Sequence, residues 1–156
     1  MEEVDMKHLR YLRYVLRHKW FVLIGCIRLR VPLWQALIHD WTKFLPIEWF
    51  AYVDRMAAGR NSSWYSVADT PAYKRAWRHH WSANPHHWEH WIIDDEPQPM
   101  PERYVREMVA DWYGAGNAQG KPNIANWYAR GKAEDRYRFH PDTQRRVEDL
   151  LVELED

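Results

Sequence analysis

Only one cysteine, Cys26, occurs in the 156 residues, so no disulfide can form within the chain. That usage suits a reducing cytoplasm, and Cys26 itself reads as inert core. Long apolar runs are missing as well. The longest near the start, Trp20 to Ile27, has eight residues and is closed by Arg28 and Arg30, which is too short to span a bilayer. A secretory signal is not expected, because the chain opens with Glu2, Glu3 and Asp5 and then scatters arginines among its apolar positions. Net charge is also absent: 22 basic side chains balance 22 acidic ones. Without an overall positive field a polynucleotide partner is disfavoured. Apolar and polar residues nowhere alternate over a sustained stretch, so no sheet is expected. The reading is a cytoplasmic protein with no membrane partner, folded as one domain over residues 1–156. A chain of this length can bury roughly 70% of its unfolded surface. Whether it forms a homo-oligomer is left open.

What is present is helical periodicity. Apolar residues recur at spacings of three and four, which predicts an all-α fold. A first helix is expected from Asp5 to Arg30, ahead of Pro32, and a second from Leu33 to Phe44. Pro46 opens a third that carries Glu48, Trp49 and Tyr52. The stretch 58–70 reads as a loop. Pro71 starts a helix through His80, and Asn84-Pro85 reads as an N-cap with proline at the first helical position, placing His86, His87 and His90 in opening turns. "DDEPQPMP", 94–101, is an extended connection. A helix from Glu102 to Tyr113 is ended by Gly114, Gly116 and Gly120; 121–139 has a weak pattern, and a last amphipathic helix covers Thr143 to Leu154. Charge is uneven along this chain: residues 1–30 hold seven basic groups against three acidic, and 142–156 hold six acidic against two basic.

The histidines concentrate the chemistry. Eight of the nine fall between His8 and His90. In "HDWTKF", His39 and Asp40 are adjacent, so on a continuous helix their side chains diverge by about 100°, with Lys43 one turn on from both. Imidazole with carboxylate suits zinc, manganese, iron or cobalt rather than calcium. His18 lies on a face of the first helix that should look inward. "HHWSANPHHWEHW" packs five histidines among three tryptophans; a helix N-terminus disfavours imidazolium, so His86 and His87 are expected neutral, the form that binds metal. Glu107 and Asp111 sit four apart in "EMVADW", beside Trp112 and Tyr113, and a buried carboxylate there needs a partner.

Taken in order, His18, His39-Asp40, His80, His86 or His87, and Asp111 resemble the pattern of the HD-domain superfamily of metal-dependent phosphohydrolases. "HKWFV", "LIHDWTKFLPIEW", "NPHHWEHW" and "EMVADWYGAG" also look like an uncharacterised family of short bacterial and phage proteins. The resemblance covers Lys7 to Gly120. It implies a compact HD-like helical bundle in which His18, His39, Asp40 and Asp111 bind one metal and Asp40 bridges to a second, completed by His80 and His86 or His87. One or two divalent transition metals (manganese, iron, cobalt or zinc) are expected, and magnesium is admissible.

On that assignment the expected activity is hydrolysis of a phosphoester or phosphoanhydride bond in a small, nucleotide-like substrate. Lys43 neutralises phosphoryl charge, and Glu107 orients the nucleophile or a ligand. Arg17, Lys19 and Arg78, each beside an expected ligand, are candidates for binding further phosphates. Eleven tryptophans include enough to stack a base. Two other readings stand beside this one: a mixed-valent di-iron oxygenase on the same scaffold, and a catalytically silent metal-stapled module presenting Arg10, Arg13 and Arg17 to an acidic partner. Two motifs are set aside. His86 to His90 spells H-x-x-E-H but sits on a first turn of a histidine-rich stretch, and "GAGNAQGK" lacks the spacing and preceding strand of a phosphate loop.

Overall fold

The computed structural model describes residues 2–59 and 69–155. Most of the loop expected over 58–70 therefore lies outside the described residues. Among them are seven α-helices, α1 (Glu2–Arg28), α2 (Leu33–Ile38), α3 (Pro46–Ala58), α4 (Pro71–Ala83), α5 (Glu102–Ala118), α6 (Ile124–Ala133) and α7 (Pro141–Glu155), with short 3-10 turns at Trp41–Phe44 and Trp88–Trp91. The fold is all-α, as periodicity predicts. One departure is a two-stranded antiparallel hairpin, β1 (Ile92–Ile93) and β2 (Glu96–Pro97), where an extended connection was expected. Asp94 and Asp95, both with positive φ, make its turn.

Local signals account for most helix ends. Thr70 Oγ1 accepts from the Tyr73 amide at 3.1 Å with Pro71 at the first position of α4, and Asn123 caps α6 through the Asn126 amide at 2.8 Å. α1 closes on Arg30, whose φ of 56° is left-handed, while the Val31 amide reaches back to the Cys26 carbonyl at 2.8 Å. That is a Schellman closure without glycine.

α1 and α5 form the central crossing, and α7 covers α5 with Val147, Leu150, Leu151 and Leu154. The buried residues of α1 split between two cores. Tyr11 and Val15 pack with Tyr52, Val53 and Ala76 of α3 and α4. Val22, Cys26 and Leu29 pack with α5, α6 and α7. Between these two groups on α1 stands His18. Cys26 is fully buried, and that burial pushes its thiol up to about 12, so it is inert as expected.

The structure corrects four expectations. α2 stops at Ile38 instead of running to Phe44. Asn84 is the C-cap of α4, and His86 and His87 lie in a turn, not on a helix. α6 occupies the stretch whose pattern was weak. Gly114 and Gly116, expected to stop α5, lie inside it. The reason is contact: a Cβ on Gly114 would stand 2.4 Å from Val22 Cγ2 and 2.8 Å from the Val22 nitrogen, and one on Gly25 would meet Ala110 at 3.1 Å. Small residues let the two backbones approach.

Gly114→Ala is therefore expected to push α1 off α5 and destabilise the fold by about 1–3 kcal/mol, the usual cost of overpacking. Denaturant unfolding checks this; an unchanged midpoint would show that α1 does not depend on that contact.

Candidate metal centre

The centre is assembled from five segments, and its pivot is the break after α2. His39 is extended (ψ 128°) and Asp40 is left-handed (φ 57°, ψ 25°), a conformation that aspartate tolerates better than most residues. Lys19 of α1 secures the break by donating to the carbonyls of Leu37 (3.3 Å) and His39, the orphan acceptors at a helix end. Instead of diverging as on a continuous helix, both side chains turn inward, and His39 and Asp40 are 2% and 1% exposed.

The two oxygens of Asp40 face different partners. Oδ2 lies 3.5 Å from His18 Nε2 and 3.2 Å from His39 Nε2. Both of those nitrogens also approach Asp111 Oδ1, at 3.0 and 3.2 Å. Oδ1 lies 3.3 Å from His80 Nε2 and 3.4 Å from His86 Nε2, and His87 completes that second set. α1 thus supplies His18, the α2 break His39 and Asp40, α4 His80, the following turn His86 and His87, and α5 Asp111. Atoms bound to one transition metal at roughly 2.0–2.2 Å lie roughly 3.0–3.5 Å from each other. The observed separations match that edge length.

An outer ring of acceptors orients the imidazoles. A carboxylate cannot donate, so His39 Nδ1 donates to Glu107 Oε1 at 3.0 Å and His80 Nδ1 to Glu48 Oε2 at 2.8 Å. His86 Nδ1 stands 3.4 Å from the same Glu107 oxygen. Gln35 of α2 in turn donates to Glu107. Each Nε2 is left facing the carboxylate oxygens, the tautomer a metal requires. Glu107 thus sits behind His39 and His86, with which it forms a third group able to hold a metal, and does not line the cavity. Glu48 was not foreseen. Its signal in the sequence is that it lies four residues before buried Tyr52, a carboxylate on an inward-facing stripe.

The electrostatics fit a cation. Burial alone would raise the Asp40 carboxyl, but His39, Lys43 and His80 hold it well below the usual carboxylate range. Asp111 is likewise held low against burial, by bonds to His18 and His39; Glu107, also opposed by burial, falls to about 2 through His39 and His86. His80 is lowered by burial, and His87 well below its ordinary value by burial and its neighbours His86 and His80. That cause replaces the expected helix terminus. His86, expected neutral, is instead raised: its contacts with Asp40 and Glu107 outweigh burial and the charge on His39. Asp40 Oδ1, His18 Nδ1, and Nε2 of His86 and His87 are buried without a well-formed hydrogen bond among the described residues. Leaving such polar atoms unsatisfied costs several kcal/mol, and a metal held by the Nε2 and carboxylate atoms would satisfy them, His18 Nδ1 excepted.

Above the histidines opens a cavity of about 340 Å³. His18, Lys43, His80, His87 and Asp111 form one wall. Aromatic rings, among them Tyr14, Trp77, Trp112 and Trp127, form most of the rest. Lys43 reaches Asp40 Oδ2 at 2.5 Å and stays cationic, since the acidic neighbours outweigh burial. Glu89, also on the wall, is pushed up to about 7 by burial. The other candidate cations are not brought in: Arg17 and Arg78 are exposed and do not line the cavity, and Lys19 is spent on the α2 carbonyls. His79 bonds Glu48 at 2.6 Å, and His90 donates to the Ser82 carbonyl at 3.1 Å, both outside the ligand sets.

Against the opposition of burial, contacts with Asp40, Asp111 and Glu107 raise His39 well above its ordinary 6.5. A raised basic group stays protonated past 6.5, so its ion pairs support the metal-free fold fully below that pH and less as pH climbs through the raised value. Metal must displace those protons. Affinity is therefore expected to rise with pH, with proton release on binding near pH 7; calorimetry in two buffers of different ionisation heat measures it, and no release would contradict the assignment.

No curated protein and no solved structure matches the chain. A family model matches residues 7–153, nearly its whole length and every residue of the centre. The chain belongs to that family, the family of unknown function DUF5662.

Proposed function

We propose that the protein is a metal-dependent hydrolase of a phosphoester or phosphoanhydride bond in a small, nucleotide-like substrate. The observation that carries this reading is Asp40, whose two oxygens each face a separate histidine set beneath a cavity walled by Lys43 and aromatic rings. His18, His39, Asp40 and Asp111 would hold one divalent ion, and Asp40, His80, His86 and His87 a second. Bound there, divalent metal supplies Lewis acidity and brings the pKa of water toward neutrality. Everything else falls to the chain's own residues.

Lys43 keeps its charge within the cavity wall and stabilises negative charge gathering on phosphoryl oxygens. The rings opposite offer a flat apolar surface on which a base stacks, and exclude water from the reacting end. Glu107 and Glu48 hold the imidazoles in register, which fixes where the substrate oxygen sits. The set of His80, His86 and His87 supplies three imidazoles against one carboxylate oxygen. That richness in nitrogen favours a second reading, a di-iron oxygenase on an HD-like scaffold.

Metal content and phosphate release from a nucleotide panel, with manganese, cobalt or magnesium, separate the two. The hydrolase predicts up to two metal equivalents and metal-dependent phosphate release, and Asp40→Ala is expected to lose both. Full metal and full turnover in that variant would overturn the assignment. Iron with an oxygen-responsive optical band and no phosphate release would favour the oxygenase. Glu48→Gln keeps the shape but not the charge behind His80, and is expected to weaken metal binding about 10–100-fold. A chelator competition titration reads that effect, and wild-type affinity would remove Glu48 from the centre.

A further inference from the structure

The surface behind the centre has an unusual composition. Between Met6 and Phe50 every exposed side chain is apolar, proline or arginine. The two carboxylates of that span, Asp40 and Glu48, are buried inside, and its three lysines are half-buried and engaged with Asp54, the α2 carbonyls or Asp40. On α1, Leu9, Leu16, Trp20 and Ile27 recur at steps of seven and four, on the side away from His18. α2 exposes four of its six residues, Leu33, Trp34, Leu37 and Ile38. Trp41, Phe44, Ile47 and Phe50 continue the surface along the 3-10 turn and α3.

These stretches adjoin one another. Lys19, the neighbour of Trp20, holds the Leu37 and His39 carbonyls. His8, the neighbour of Leu9, places its ring 5.7 Å from Phe50. The twelve side chains are 39–68% exposed. At roughly 80–100 Å² each, the apolar area approaches roughly 1,000 Å². The largest patch on an ordinary monomer is about 300–600 Å², whereas a stable dimer needs about 800 Å² from each partner.

We infer that this outer face of α1, α2 and α3 is the interface of a homodimer, covered by a second copy of the same chain. A two-fold contact sets one patch against itself, which requires a centre without charge. The α2 face of Leu33, Trp34, Leu37 and Ile38 meets that requirement, whereas the α1 stripe carries Arg13 between Leu9 and Leu16 and ends before Arg30. Enrichment in aromatics and arginine with depletion of lysine, aspartate and glutamate is the composition of protein interfaces. A lipid surface fits less well, because a helix lying on a membrane keeps its polar side in water, whereas the opposite side of α1 is packed into the core. The dimer also explains α2. A six-residue helix has little stability of its own, and this one backs the His39-Asp40 break, so covering its outer side braces the metal centre from behind.

Sedimentation velocity on the full chain tests the inference. The expected mass is twice the 19.0 kDa chain. Leu37→Asp on α2 and Trp20→Asp on α1 should each shift the protein toward monomer, with dissociation constants at least about 100-fold higher, while circular dichroism reports intact helix. Val152→Asp changes an equally exposed apolar residue on α7 and should leave the dimer intact. A wild-type protein that stays monomeric at roughly 100 µM would overturn the inference without recourse to any variant. So would a monomer that co-sediments with vesicles containing phosphatidylserine, or a dimer that both folded aspartate variants leave unchanged.

Discussion

A carboxylate taken out of water has to be compensated, and in this protein that carboxylate is Asp40. It is 1% exposed, sits in a left-handed turn, and is faced on both oxygens by side-chain nitrogens. One lysine, Lys43, reaches it directly. The remaining compensation comes from imidazoles arriving from α1, the α2 break, α4 and the turn beyond it. Such an arrangement is poor as a static ion-pair network, because buried charges lose more hydration than their pairing returns unless every atom is satisfied. It becomes economical once cations stand between the ligands.

Helix packing exists in the form it does to bring those groups together. Gly25, Ala110 and Gly114 let α1 and α5 lie close enough for His18 to meet Asp111. One turn before Asp111, Glu107 reaches His39 and His86 from the same helix, and Glu48 does the equivalent for His80 from α3. The carboxylates divide the work by partner: two face Nε2 atoms, and two hold the Nδ1 atoms of His39, His80 and His86 behind them. This division aims the Nε2 atoms at the carboxylate oxygens before any ligand arrives. A second copy closing the outer face of the same α2 segment would make assembly and metal site share one short helix.

Much of the architecture was legible from periodicity and punctuation. Pro46 and Pro71 mark helix starts, and the apolar spacing of α1 and α7 sets their buried faces. Where reading failed, a tertiary contact had overruled a local rule. Glycines that ordinarily end helices lie within α5 because only a missing Cβ admits Val22 at Gly114 and the Lys121 carbonyl at Gly116. A helix expected through Phe44 breaks at His39 because Lys19, from a distant part of the chain, takes the carbonyls exposed by the break. α6 has a weak pattern because half of its apolar residues are alanine and its burial depends on partners elsewhere, such as Trp112 and Tyr137.

By itself the sequence determined the helical class and the types of ligand present, since periodicity and residue chemistry are local properties. It also named the His-Asp dipeptide and the distant aspartate. Only the tertiary structure decided which imidazoles face which oxygen of Asp40, that Arg17 and Arg78 stand outside the cavity, and that Glu48 belongs to the centre. Those are distances between residues tens of positions apart. They follow from how closely α1, α4 and α5 pack, and no spacing along the chain encodes them.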